Sequence, residues 1–166
     1  MHSTRRSASA LIALAAFALL LLVPASALAT QTIYVGKGVD HPRLGWLDSS
    51  AKSHFGKVGS YYKDSNYAGQ TVYCWKFGTK LASGKYRLEM YSNSSHKVFT
   101  FVCNTAFYVT AKGVKVGTSR TTLKSKYPGL KTYAGSVYTR YTLGSKPYTD
   151  FYVKSGKVAQ IVVRSK

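Results

Sequence analysis

Ile33-Tyr34-Val35-Gly36-Lys37-Gly38-Val39 resembles Phe107-Tyr108-Val109-Thr110-Ala111-Lys112-Gly113-Val114, with one residue inserted. No other feature limits the fold as much as this internal similarity. A few residues on, Arg43-Leu44-Gly45 answers Lys115-Val116-Gly117, and from there the register holds without gaps. Ser49-Ser50-Ala51-Lys52-Ser53-His54-Phe55 lies on Thr121-Thr122-Leu123-Lys124-Ser125-Lys126-Tyr127, and Gly56 meets Pro128.

The segment after each match has one character. Thr71–Phe77, Lys85–Tyr91 and Lys97–Cys103 follow the first match; Ser136–Leu143, Tyr148–Val153 and Lys157–Arg164 follow the second. These runs are rich in β-branched and aromatic residues and are punctuated by Gly78, Ser83-Gly84, Asn93-Ser94-Ser95, Gly144-Ser145 and Ser155-Gly156. Such runs predict strands joined by hairpins. Short helices are expected at about 49–55 and 119–127. Asp48 and Thr118 or Ser119 are the candidate N-caps, and Pro128-Gly129 is a stop. Helices of two turns do not stand alone and must be held by packing. The expected class is α+β: two tandem units, residues 30–105 and 106–166, each a short helix on an antiparallel three- to four-stranded sheet.

Residues 1–29 read as a cleavable leader. Arg5 and Arg6 precede an apolar run of 13 residues, Leu11 to Val23; Pro24 breaks it, and Ala27-Leu28-Ala29 offers small residues at −3 and −1. The run is short for a bilayer span, which needs about 20 residues, and no later segment is apolar enough to cross. Secretion, or export to a periplasm, is the expectation, and the Ala/Leu-rich leader has a bacterial style. Without the leader, 22 Lys and Arg face five acids (Asp40, Asp48, Asp64, Glu89, Asp150), a net +17. Seventeen of those cations are lysines, flexible point charges suited to diffuse attraction. An anionic envelope or extracellular polymer, or an acidic protein surface, is the expected partner. Export disfavours nucleic acid.

Cys74 and Cys103 are the cysteines. In an oxidising compartment a single disulfide between them is expected, closing a loop of about 30 residues and worth roughly 3–4 kcal/mol. A meander opposes it. Its first and third strands are about 9.5 Å apart, whereas a disulfide needs Cα atoms within about 7 Å. Cys103 must curl past its strand end, or the strand order must differ.

The stretch Val114-Lys115-Val116-Gly117-Thr118-Ser119 to Tyr127-Pro128-Gly129, and more faintly Leu44-Gly45 to Phe55-Gly56, sets an apolar-x-x-Gly before a polar helix start and an aromatic stop. With the three-stranded meander that follows, it resembles the β-lactamase-inhibitory-protein-like fold and the small envelope-assembly lipoproteins of the SmpA/OmlA type. The resemblance implies a tandem α+β protein whose sheets present a surface to another protein, and hence an alternative role as an inhibitor or assembly factor with one specific partner. Two departures count against closer transfer. No lipobox cysteine is present, and one cysteine pair serves two units where the inhibitor has one per unit.

Chemistry is sparse. His54 falls in the first helix match opposite Lys126, and His96 sits in a turn with no acid beside it in sequence. No G-x-S-x-G context exists, the acids are scattered, and Gly36-Lys37-Gly38 lacks the spacing of a phosphate loop. No enzyme, cofactor or metal site is expected. The aromatics say more. Strands alternate faces, so Tyr73, Trp75 and Phe77 share one face while Val72, Cys74 and Lys76 share the other. If the cysteine side is core, Tyr73, Trp75 and Phe77 form an exposed stripe, joined by Tyr138 and Arg140 of the second unit as a candidate binding face. If the aromatic side is core, Lys76 marks the solvent side.

Overall fold

The structure, a computed structural model, describes residues 30–67 and 70–165. The expected leader, and with it the cleavage site, lies outside the described residues. Among the described residues no helix is long and apolar enough to cross a membrane.

The chain is α+β. A three-stranded sheet has the order β2-β1-β7, from β1 (Gln31–Tyr34), β2 (Gly38–Val39) and β7 (Tyr108–Thr110). The β2 turn is tight: a Cβ on Gly38 would stand 2.1 Å from the Pro42 carbonyl oxygen, so only glycine fits. The other sheet has eight strands. β3 (Val58–Tyr67), β4 (Gln70–Lys80), β5 (Tyr86–Ser92) and β6 (Val98–Cys103) form one antiparallel meander. β8 (Lys131–Ala134), β9 (Thr139–Leu143), β10 (Tyr148–Lys154) and β11 (Lys157–Arg164) form another. The two meet where β6 pairs antiparallel with β11, giving the order β3-β4-β5-β6-β11-β10-β9-β8.

The helices are α1 (Asp48–Phe55) and α2 (Arg120–Lys126). Ser119 caps α2, its Oγ accepting from the Thr122 amide at 3.1 Å. Asp48 does not cap α1. Leu47, whose hydrocarbon side chain cannot accept a hydrogen bond, is the N-cap, and the Asp48 carboxylate is turned onto the sheet. There Oδ2 accepts from Ser92 Oγ (2.8 Å) and Trp75 Nε1 (3.3 Å) and lies 3.0 Å from His96 Nδ1.

Both helices enter through one hydrogen-bonding scheme. Gly45 N donates to Val98 O, Val98 N to Trp46 O, and Asp48 N to His96 O; Gly117 N donates to Val158 O, Val158 N to Thr118 O, and Arg120 N to Gly156 O. Gly45 and Gly117 have φ 87° and 94°, a left-handed backbone that favours glycine.

Both helices lie on one face of the large sheet. Phe55 of α1 packs its ring 5.1 Å from Phe77 and 6.0 Å from Phe101, and Tyr127 after α2 lies 5.5 Å from Phe151. Ala51 and Leu123 are fully buried between helix and sheet. Phe77, Leu88, Met90, Phe101, Phe151, Ile161 and Val163 join them in one core cluster with Ile33 and Val39 of the small sheet.

Cys74 and Cys103 are buried free thiols, and the expected disulfide does not form. β5 runs between their strands, and Cys74 pairs with Tyr91 while Cys103 pairs with Leu88. Directly paired residues share a face, and Tyr91 and Leu88 are an odd number of residues apart, so the two thiols lie on opposite faces. No curl of a strand end brings them together.

Candidate binding face

Pairing register settles the two faces of the eight-stranded sheet. Tyr61, Trp75, Met90, Phe101, Val163, Thr149 and Leu143 form one row across it, by successive antiparallel pairs, on the helix-covered side. The row Tyr62, Cys74, Tyr91, Thr100, Arg164, Tyr148 lies on the other side. No described helix packs there, and the buried Val72, Cys74 and Val162 of that side are outside the main core cluster.

This assignment corrects the expected binding face. Tyr73, Trp75 and Phe77 are on the helix-covered side and do not form an exposed stripe. Phe77 is 2% exposed, and Trp75 is half-buried beneath Lys52 of α1, whose Nζ stands 3.6 Å from the indole centre. Tyr73 stacks on His96 at 4.5 Å. Tyr138 and Arg140 are on the opposite, helix-free side. Arg140 pairs with Tyr152, and Tyr138 meets Tyr152 edge-on with ring centres 6.2 Å apart. Lys76 lies on the helix-free side, where it pairs with Glu89.

The helix-free face is built from tyrosines under cations. Lys76 Nζ is 5.0 Å from the Tyr62 ring, Arg164 4.5 Å from Tyr148, Arg140 4.4 Å from Tyr133, and Lys154 Nζ 5.9 Å from Tyr138. Such stacking presents the charge while holding the long side chain flat. Two of its acids, Asp150 and Glu89, are engaged within the face. Asp150, fully buried, accepts from Thr142 Oγ1 (2.6 Å) and from Arg164 Nε (2.5 Å). Glu89 accepts from the Tyr91 hydroxyl at 2.9 Å, and Gln160 Nε2 donates to Asn104 Oδ1 at 2.8 Å.

Burial and the Cys74 side chain beside it push the Tyr62 phenol up to about 12, and burial pushes the Cys74 thiol up. Both stay protonated at neutral pH and add no charge to the face.

Among the described residues, two recesses concern this face and its border. One, of about 360 Å³, is bounded by Tyr133, Tyr138, Arg140, Tyr152 and the 134–137 turn. The other, a groove of about 790 Å³, crosses the strand ends between Leu44, Val72, Phe99 and Pro147. Lys97, Lys146 and Arg164 are on its wall, the last already holding Asp150.

Alternation showed that Tyr138 and Arg140 share a face; Tyr133 beside them and Tyr62 at the far edge of the same face were missed because both stand on strands with no apolar alternation to announce them.

No protein-family model matches the chain, and no curated protein matches it. Among solved structures the chain is similar to the uncharacterized protein yfeY from Escherichia coli, at 12% identity and a TM-score of 0.55, over 81% of this chain and 99% of that one. At that identity the likeness is one of fold alone.

Proposed function

We propose that the chain is a non-catalytic, exported binding module that engages an acidic surface of another protein through the helix-free face of its sheet. The distribution of arginine carries this reading. Of five arginines from residue 30 on, three (Arg87, Arg140, Arg164) are in that face's rows, among Tyr62, Tyr91, Tyr138, Tyr148 and Tyr152. Tyrosine and arginine are the residues that interfaces concentrate at their energetic centres. The lysines, spread over the whole chain, add a field that speeds encounter with an acidic partner.

The two meanders are, in this reading, copies of one unit. The matched entries to α1 and α2, down to the two left-handed glycines, support it. So does the antiparallel β6–β11 seam, which sets the two meanders side by side in one sheet. A sheet of this kind offered to another protein fits the resemblance to the inhibitory-protein fold, from which no particular target is carried over. The lysine excess favours a second reading, an anionic polymer held by diffuse charge.

Two variants of equal net charge separate the readings. Lys76→Glu/Arg87→Glu reverses charge on the helix-free face, and Lys115→Glu/Lys124→Glu does so elsewhere. Retention on envelope material from the producing cell is followed across a salt series. A face interface predicts that only the first variant loses retention. Equal loss in both, with a steep salt slope, assigns the protein to a polymer.

A further inference from the structure

We propose that Arg140 is a receptor for a single carboxylate, that of an Asp or Glu side chain protruding from the partner protein. This rests on the reading of the helix-free face just given and names what one point of that face takes. Arg140 and Arg164 form a natural comparison. Both lie on that face and both stack on a tyrosine, at 4.4 and 4.5 Å. Arg164 gives its Nε to the buried Asp150. Arg140 has no such partner: its Nε is buried with no hydrogen-bond acceptor, and none of the ion pairs among the described residues includes it.

A guanidinium partly withdrawn from water and given no anion is unfavourable, because the lost hydration is not replaced. An arriving anion restores the balance. The space for one is beside it. The 360 Å³ recess is lined by Arg140 together with Tyr133, Tyr138 and Tyr152. Flat aromatic walls suit a planar group, and the guanidinium fork matches a carboxylate with two parallel hydrogen bonds. The edge beside it is open: all four residues of the edge strand β8 are exposed, which leaves that side of the recess to an acidic side chain on a protruding loop.

The test follows the Arg140 Nε–Hε resonance in the ¹⁵N-labelled protein during titration with an acetylated triglutamate peptide, its triglutamine counterpart, and inorganic phosphate. A saturable shift with triglutamate alone is expected, and Arg140→Lys, which keeps the charge but not the fork, weakens that binding about tenfold, or about 1.4 kcal/mol. Unchanged affinity in Arg140→Lys overturns the proposal. So does a phosphate response as strong as that of triglutamate, which would turn the recess into a phosphoryl or sulfuryl site. If triglutamate shifts Arg164 and Tyr62 but leaves Arg140 unmoved, the recess assignment fails and the face reading survives. If it shifts nothing on the face, both fail.

Discussion

Cys103 is wholly enclosed by apolar side chains, and burial pushes its thiol well above the ordinary cysteine value. Burial does the same to Cys74 on the other face. The thiolate is the reactive form, so both are poor nucleophiles in the folded protein. Both are expected to react with iodoacetamide at least about a hundredfold slower in the native protein than in urea, because labelling must wait for opening. Two free thiols are expected on denaturation without reductant. A native mass lower by two hydrogens would show a disulfide and overturn the separation of the cysteines by β5. Sequence reasoning exposed the conflict between a bond and a meander but had no means to resolve it. Pairing register decides it, and register is a long-range property.

At the scale of elements, Asp48 holds α1 to the sheet. Its carboxylate accepts from a β4 tryptophan and a β5 serine and meets His96 of the β5–β6 turn. Burial pushes this carboxyl up, but the hydrogen bonds from His96 and Ser92 and the charges of Lys52 and His96 outweigh it and hold it below the ordinary Asp value. A lowered folded-state value means that the stabilisation is present above the unfolded value, about 3.9, and is lost as pH falls through the folded one. Asp48→Asn is expected to cost about 1–3 kcal/mol near neutral pH, since several donors lose a charged acceptor. In urea titrations the gap between wild type and variant should close below about pH 4. A gap that stays the same at pH 3 would remove the carboxylate from this role. The strands that sequence revealed are those with apolar residues on the core side, such as β4, β6 and β11. β3 and β8 went unrecognised because edge strands carrying Ser, Lys, Asp and Tyr show little alternation. Period 2 separated Trp75 from Lys76, but which side α1 covers depends on contacts such as Phe55 on Phe77, far apart in sequence.

Across the whole molecule the seam between β6 and β11 decides whether residues 30–105 and 106–166 stand or fall together. Ile161 is paired with Cys103 across that seam and with Phe151 on its other side, and it is fully buried in a core cluster that continues from Phe77 to Tyr141. No water-exposed boundary divides that cluster, so the cost of opening one half is borne by both. Ile161→Ala should lower stability by about 2–5 kcal/mol, from lost burial and the cavity left behind. The reporter of interest is remote: with Trp46, the other tryptophan, replaced by Phe in both proteins, emission comes from Trp75 on β4, which is separated from β11 by β5 and β6. If the halves unfold as one unit, Trp75 fluorescence and far-ultraviolet dichroism give coincident denaturation curves in the wild type, and in Ile161→Ala both shift to lower denaturant by the same amount. A variant in which dichroism moves and Trp75 fluorescence does not would mean that the first half keeps its fold without the second. The seam would then be an interface between two domains instead of the middle of one core.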